Sequence, residues 1–191
     1  MVDFEYRILD GIRESLSSGV MDVLMKAFSF LAEGGWFWIV LGLVLAIIPK
    51  TRKIGVTVLT ALILSLIVCN ITIKPLAART RPFDLRSGIE LIVSKPTDYS
   101  FPSGHSSASF AAAAAIFAHK KKWGTGALVL AALIAFSRLY LYVHFPTDVL
   151  CGTVLGCLFG AAAYFIVKAA YPRITAKIVS RKEENIHENK S

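Results

Sequence analysis

The sequence predicts an all-α membrane protein, a polytopic helix bundle of about five to six transmembrane helices with amphipathic helices at its N-terminus. The first observation is composition: the 191 residues are 55% hydrophobic and 18% charged, whereas soluble domains average about 45–50% apolar and about 25% charged residues. The second observation is that apolar stretches recur along the chain at lengths close to the about 20 residues that a helix needs to cross a bilayer. A chain of this length suits one such bundle rather than two domains.

Five apolar stretches are the predicted membrane spans. They run roughly over residues 36–48, 54–73, 106–118, 124–143 and 149–169. The first and third are short as purely apolar runs, so each must extend through neighbouring glycine, serine or histidine residues. Glycines recur four apart in the last span, at Gly152, Gly156 and Gly160, which is typical of close helix packing. The chain is thus divided into an N-terminal segment (residues 1–33), a membrane core (residues 34–170) and a basic, polar tail (residues 171–191).

The N-terminal segment is predicted to form two amphipathic helices that break at residues 17–19. Apolar side chains recur at helical spacing in the first helix, and they are Phe4, Ile8, Ile12 and Leu16. The second helix, over residues 20–32, contains Asp22 and Lys26. An interfacial or re-entrant placement is therefore favoured, and a sixth short span is the alternative. The acidic start does not resemble a cleavable signal peptide, so we expect the spans themselves to direct membrane insertion.

The distribution of basic residues predicts the orientation of the bundle. The net charge is +8, but lysines and arginines come in short clusters between apolar runs, which is typical of membrane-flanking loops and not of a nucleic-acid-binding surface. With five spans, the clusters in residues 50–53, 120–122 and 168–190 fall on one face, and the positive-inside rule makes this face cytoplasmic. We expect a multi-pass protein of the plasma membrane with a cytoplasmic C-terminus. The loop over residues 74–103 and the turn over residues 144–147 then lie together on the outer face.

The outer ends of the spans carry polar side chains that are expensive to place near a bilayer. Arg138 is the clearest case, because it lies in an otherwise apolar run, and ionisable groups within membranes usually mark functional sites. The predicted topology brings it close to Lys74 and Arg81. A guanidinium fork matches the oxygens of a phosphate, and a lysine adds a point charge. The three cations therefore predict an anion-binding pocket on the outer face.

Two histidines and a helix N-terminus are expected at the same pocket. Ser103 and Gly104 directly precede the third span, where free backbone N–H groups favour an anion and glycine allows its close approach. His105 follows them. Asp148 comes four residues after His144, so the two side chains can meet across a first helical turn. An aspartate bonded to one ring nitrogen fixes the tautomer and leaves the other nitrogen free to attack.

These residues together resemble a known three-part signature. The spacings Lys74-x6-Arg81-Pro82, Pro102-Ser103-Gly104-His105 and Ser137-Arg138-x5-His144-x3-Asp148 are similar to those of the type 2 phosphatidate phosphatase superfamily, and no signature residue departs from the pattern. The resemblance implies an integral membrane lipid phosphatase that works through a phosphohistidine intermediate. It implies that His144 is the nucleophile, that Asp148 orients it, and that His105 is first proton donor and then base. The implied phosphate-binding residues are Lys74, Arg81, Ser103, Gly104 and Arg138.

The resemblance also bears on cofactor, partners and substrate. It implies that no metal or other cofactor is needed, and that the partners are the bilayer and a lipid phosphate. Undecaprenyl diphosphate is the favoured substrate, because small bacterial members of the family often recycle this cell-wall carrier; phosphatidylglycerophosphate, phosphatidate and lipid A phosphates remain alternatives. The rival classes are a catalytically silent protein that binds lipid phosphates and a vanadate-dependent oxidase. Arg79, outside the signature, is interpreted as a membrane-interface anchor.

Overall fold

The computed structural model describes the backbone of residues 2–188 and the side chains of residues 2–171. Every regular element in this part of the chain is helical, which confirms the predicted all-α class. The helices are α1 (Val2–Leu16), α2 (Gly19–Leu31), α3 (Trp36–Ile47), α4 (Arg52–Ser65), α5 (Lys74–Ala77), α6 (Pro82–Leu85), α7 (Gly104–His119), α8 (Lys121–Tyr140) and α9 (Pro146–Glu188). A tight 3-10 turn, Glu33–Gly35, joins α2 to α3, and wide π-helical turns, Leu66–Ile73, join α4 to α5.

Three helical stretches are long and apolar enough to cross a membrane: Arg52–Leu85, Lys121–Tyr140 and Pro146–Tyr171. A fourth candidate is a broken pair in which Gly19–Leu31 and Glu33–Ile47 meet at a bend of 44°. The second N-terminal helix, for which the sequence left an interfacial helix and a sixth span as alternatives, is the first arm of this pair. The remaining predicted span lies in α7, whose 16 residues fall short of the about 20 that a simple crossing takes.

Glycine makes the bend between α2 and α3. Gly34 and Gly35 have φ angles of 56° and 73°, a left-handed conformation that residues with a Cβ rarely adopt. The chain can therefore turn sharply within three residues. The bend brings Ser29 and Glu33 to the wall of the cavity that holds the candidate site.

Helix α7 packs closely against α9, and glycine makes the approach possible. A Cβ added at Gly152 would lie 2.6 Å from the carbonyl oxygen of Ser103, and one at Gly156 would lie 2.5 Å from that of Ser107. These contacts confirm that the glycine stripe is a packing surface. It holds the N-terminus of α7 beside the first turn of α9, where the backbone N–H of Ser103 donates to the carbonyl oxygen of Asp148 at 3.0 Å.

The first helix packs on the protein with a face that its apolar pattern did not predict. Glu5 and Leu9 are the buried residues of α1, whereas Phe4 and Leu16 are 59% and 41% exposed. Tyr6 contacts two aromatic rings of the turn between α8 and α9. The helix and its end are as predicted, but an acidic side chain faces inward because an ion pair offsets the cost of its burial.

Candidate active site

The predicted site residues converge on a cavity of about 1470 Å³. Those that line it are Lys74, Arg81, Gly104, His105, Arg138 and His144. Ser103 and Asp148 are fully buried behind this wall. The structure therefore brings together every residue that the sequence assigned to the site.

His144 lies in the turn between α8 and α9 and is 1% exposed. Its Nε2 atom is 3.2 Å from Nη1 of Arg81, and its Nδ1 atom is 3.6 Å from Oδ2 of Asp148. Burial, and then the positive charges of Arg81 and Arg138, lower the pKa of His144 well below its ordinary value. The ring is therefore neutral near pH 7 and keeps a lone pair, as a nucleophilic imidazole must.

Asp148 is fully buried, and hydrogen bonds fix both of its oxygens. Oδ2, the oxygen nearer to His144, accepts hydrogen bonds from the backbone N–H of Phe145 at 2.9 Å and from the hydroxyl of Ser100. Oδ1 accepts from Nη1 of Arg79 at 2.5 Å. A carboxylate held in this way can orient the imidazole and stabilise a positive charge on it.

The interpretation of Arg79 as a membrane-interface anchor is wrong. Its guanidinium bonds Asp148 on one side and Glu5 on the other, each at 2.5 Å, and it lies 4.1 Å from the centroid of the Phe145 ring. Two buried carboxylates attract the side chain into the protein, so it does not extend toward lipid headgroups. Spacing in the sequence gave no sign of this, since Glu5 lies 74 residues away.

Lys74 and Arg81 both form ion pairs with the carboxylate of Asp98. Lys74 forms an ion pair with Asp98, and Nη2 of Arg81 lies 2.6 Å from Oδ1 of the same carboxylate. Nε of Arg81 also donates to the backbone carbonyl of Asp98 at 2.8 Å. Burial raises the pKa of Asp98, but the two cations outweigh it and hold the pKa at about 2. A carboxylate thus holds two of the predicted phosphate-binding cations.

Arg138 of α8 is 4% exposed, and its side chain forms part of the cavity wall. One terminal nitrogen donates to the hydroxyl of Ser29 on α2, and Nε has no hydrogen-bond partner among the described residues. A buried guanidinium with an unpaired N–H is costly in isolation. It has donor capacity left for an anion in the cavity.

The start of α7 supplies the remaining side of the site. A Cβ at Gly104 would lie 2.7 Å from Oδ1 of Asn70, so a larger residue there would require the Asn70 side chain to move. Ser103 caps the helix by accepting the backbone N–H of Ser106. Nε2 of His105 is 3.5 Å from Oε2 of Glu33, longer than a good hydrogen bond. A helix N-terminus, with its partial positive charge, thus faces the cavity beside an imidazole.

The arrangement suits transfer of a phosphoryl group. Cationic side chains surround a space that two imidazoles and the N-terminus of a helix also face. Within residues 2–171, no group of three or more histidine, cysteine, aspartate or glutamate side chains is placed to hold a metal ion. The cations can neutralise phosphate oxygens, and a neutral imidazole can attack phosphorus.

Several residues of the site were missed from the sequence. Asp98 and Ser100 lie a few positions before the Pro102-Ser103-Gly104-His105 segment, so nearness to it was the available signal. Ser29 and Glu33 gave none, because Ser29 bonds a residue 109 positions away and Glu33 depends on the bend between α2 and α3.

The fold and this site resemble those of integral membrane phosphatases. The chain belongs to the PAP2 superfamily, whose sequence pattern matches residues 54–172. The family assignment confirms the resemblance predicted from the three signature segments.

Three known proteins place the chain within that family. It is 35% identical to an undecaprenyl-diphosphatase of Sulfolobus acidocaldarius over 130 residues, which cover 66% of this chain and 63% of that protein, less than two thirds of its length. It is 28% identical to a lipid A 4'-phosphatase of Porphyromonas gingivalis over 82% of this chain and 72% of the relative. The crystal structure of a PAP2-type phosphatidylglycerolphosphate phosphatase from Bacillus subtilis superposes with a TM-score of 0.70 at 26% identity, over 90% of this chain and 86% of that one.

Proposed function

We propose that the chain hydrolyses a phosphomonoester or diphosphate of a membrane lipid, with undecaprenyl diphosphate, cleaved to undecaprenyl phosphate and phosphate, as the leading substrate. One observation carries the proposal: the cavity that holds the charged residues is also lined by apolar side chains of α3 and α4, among them Ile39, Leu59, Leu62 and Ile63. Ile39 and Ile63 are 41% and 55% exposed on helices with apolar outer faces. A lipid tail can therefore lie along these helices while its phosphate reaches His144.

In the proposed reaction, Nε2 of His144 attacks phosphorus. The N–P bond forms as the bond from phosphorus to the leaving oxygen breaks, and His105 donates a proton to that oxygen. His105 then takes a proton from water, whose oxygen attacks the phosphohistidine and releases phosphate. Asp148 faces the other ring nitrogen, Nδ1, at 3.6 Å, and offsets the positive charge of the ring during both steps.

Phosphate binding in this proposal falls to the cations and the start of α7. Lys74, Arg81 and Arg138 neutralise the charge that spreads over the phosphoryl oxygens. Ser103 and the amide of Gly104 add hydrogen bonds from the helix N-terminus. Asp98 pairs with both Lys74 and Arg81, so the phosphate has to compete with this carboxylate for the two cations.

The choice among lipids rests on the relatives, whose names give undecaprenyl diphosphate, lipid A and phosphatidylglycerolphosphate. Of these three proteins, the undecaprenyl-diphosphatase has the highest sequence identity to the chain, which supports undecaprenyl diphosphate as the leading substrate. Phosphatidate and the other two lipids are the alternatives. A catalytically silent lipid-binding role is disfavoured because His105, His144 and Asp148 are all present and face one site.

We further propose that the protein lies in the plasma membrane with its active site outside and its C-terminus in the cytoplasm. The basic turns at residues 50–53 and 120–122 lie at the ends of α4, α7 and α8 opposite to the cavity. A hydrogen bond of 2.9 Å between Thr57 and His119 places these turns side by side. Two basic turns thus lie at the end away from the site, where the positive-inside rule expects the positive charge of a cytoplasmic face.

A side-by-side turnover panel tests the function. Purified protein in detergent is given undecaprenyl diphosphate, phosphatidylglycerophosphate, phosphatidate and lipid A, and phosphate release is measured for each, with His144→Ala as the blank. We expect the highest kcat/KM with undecaprenyl diphosphate. Turnover of another lipid above it would reassign the substrate, and release from none of the four would reject a lipid phosphatase.

A further inference from the structure

We propose that Glu5 of α1 and Arg79 are positioning residues for the reaction, because they fix the carboxylate of Asp148 behind His144. The proposal rests on the proposed function, since it takes His144 as the nucleophile. It extends the site to the first helix, which lies outside the three signature segments and outside the matched residues 54–172.

The three side chains form a row of alternating charge. Nη1 of Arg79 lies 2.5 Å from Oδ1 of Asp148, and Nη2 lies 2.5 Å from Oε2 of Glu5. The side chains of Glu5 and Asp148 are 3% and 0% exposed, whereas that of Arg79 is 26% exposed. Buried carboxylates are costly unless they are paired, so each member of the row requires its neighbour.

The two oxygens of Asp148 have different neighbours. Arg79 occupies Oδ1, and Oδ2 is the oxygen that lies 3.6 Å from Nδ1 of His144. A guanidinium bond to one oxygen restricts rotation of the carboxylate about its own axis. Arg79 therefore keeps Oδ2 turned toward the imidazole, and the stacked ring of Phe145, at 4.1 Å, keeps the guanidinium in place.

Glu5 fixes the far end of the row to the same helix that carries Asp148. Its Oε1 accepts hydrogen bonds from the backbone N–H of Thr147 at 3.2 Å and from the Thr147 hydroxyl at 2.5 Å. Thr147 lies in the first turn of α9, where free N–H groups favour a negative charge. Glu5 thus holds both Arg79 and the turn that presents Asp148. It also balances the charge of Arg79, which would otherwise compete with the imidazole for Asp148.

A second ion pair on the same helix provides a matched control. Nη1 of Arg86 bonds both oxygens of Asp10 at 2.7 and 2.9 Å, and Asp10 also accepts the hydroxyl of Tyr142 at 2.8 Å. This pair likewise ties α1 to the loop that begins after α6. It makes no contact with Asp148, so it reports the cost of loosening α1 without disturbing the carboxylate.

The test is a double-mutant cycle. Arg79→Met and Glu5→Gln are made in the native chain and in the Asp148→Asn background, with Arg86→Met and Asp10→Asn as controls. The kcat and KM for phosphate release from the leading substrate and the thermal midpoint of unfolding in detergent are measured for each. We expect Arg79→Met to lower kcat about 10–100-fold with little change in KM, the size of effect seen for residues that orient metal-bound histidines. In the Asp148→Asn background the same change should cost less than about 3-fold, close to the residual seen for uncoupled changes, because no carboxylate remains to be oriented.

The controls should lower the thermal midpoint and leave kcat in place. A loss of kcat for Arg79→Met that is equal in both backgrounds, or that the controls reproduce at equal loss of stability, would show a merely structural role. Arg79→Lys keeps the charge without the two-sided fork, and we expect it to show the same background dependence if Arg79→Met does not fold. If the native chain released no phosphate from any of the four lipids, the proposed function would fail and this inference with it. Full turnover of both Asp148→Asn and His144→Ala would reject His144 as the nucleophile, and the inference would fail for that reason. Full turnover of Arg79→Met beside an inactive His144→Ala would overturn the inference alone.

Discussion

The two histidines of the candidate site have different neighbours. His144 lies against Arg81 and Asp148, whereas His105 lies across the cavity near Glu33. One imidazole is surrounded by groups that keep it neutral and oriented. The other lies at the start of α7 and lines the same cavity. Their replacement should therefore produce different defects.

We predict that His144→Ala reduces turnover to background, while His105→Ala leaves a small residual rate. The first change removes the attacking nitrogen, and the second removes positioned proton transfer, which is typically worth about 10²–10⁴-fold. A nitrophenyl phosphate, whose leaving group needs little protonation, should rescue part of the His105→Ala defect in the first step. A substrate that is labelled in the transferred phosphoryl group should form an acid-labile adduct with the native protein. Label on the His144→Ala protein would show that another residue is the nucleophile.

A second prediction at this scale concerns pH. The pKa of His144 is lowered by burial and by nearby cations, so the ring loses its lone pair only when the pH falls through that lowered value. The acid limb of kcat/KM should therefore lie below the ordinary histidine value of about 6.5. It is measured with the leading lipid in detergent. The phosphate of the substrate, with a second pKa of about 6, is titrated separately by phosphorus NMR. A limb with its midpoint above 6.5 after that correction would contradict the assignment.

At the scale of elements, the close packing of α7 on α9 determines where the site's helix N-terminus lies. Because the carbonyl oxygens of α7 approach the glycines of α9, no side chain separates the two axes. The first turns of both helices therefore adjoin, and Ser103 bonds Asp148 through the backbone. The geometry of the site depends on this contact although no glycine of α9 touches the cavity.

We predict that Gly156→Ala destabilises the protein by about 1–3 kcal/mol, the usual cost of overpacking a well-packed core. The added Cβ would lie 2.5 Å from the carbonyl oxygen of Ser107, and backbone cannot move aside cheaply. Gly126→Ala on α8 is the control, since nothing lies within 4 Å of its Cβ; a gain of up to about 1 kcal/mol is expected from helix propensity. Thermal unfolding in detergent measures both. Equal stability of the two variants would show that α7 and α9 can separate without cost.

For the whole molecule, the arrangement of charge implies a direction in the membrane. The basic turns lie at the opposite end of the bundle from the cavity. The loop over residues 74–103, with Ser87 at its surface, lies at the cavity end. The orientation in the membrane can therefore be tested by chemical labelling of one exposed position at the cavity end and one in a basic turn.

We predict that a membrane-impermeant thiol reagent on intact cells labels Ser87→Cys and not Lys122→Cys. Both side chains are exposed, so access to the reagent depends only on the side of the membrane. Both variants are made in a background that lacks Cys69, Cys151 and Cys157. Labelling of both after the membrane is permeabilised is the control. The reverse pattern in intact cells would place the cavity on the cytoplasmic face.

The parts of the molecule that the sequence could predict are those in which the information is local. The helices, the break at residues 17–18 and the three signature segments depend on residues close together in the chain. The inward face of α1 was not predictable, because Glu5 is buried only through Arg79, and Asp98 becomes part of the site only when its loop folds back onto Lys74. Pairings of this kind follow from tertiary structure, and neither hydropathy nor spacing encodes them.

The carboxylate of Asp98 has a consequence for selectivity. An anion that reaches Lys74 and Arg81 does not meet bare cations, since it must exchange with a group that is tethered to the chain. Inorganic phosphate gains little from such an exchange, because one pair of charged contacts replaces another. A lipid phosphate has a further source of binding energy, since its tail leaves water for the apolar wall of α3 and α4. If the site hydrolyses a lipid phosphate as proposed, competition from Asp98 favours the membrane-bound substrate over the free phosphate that the reaction releases.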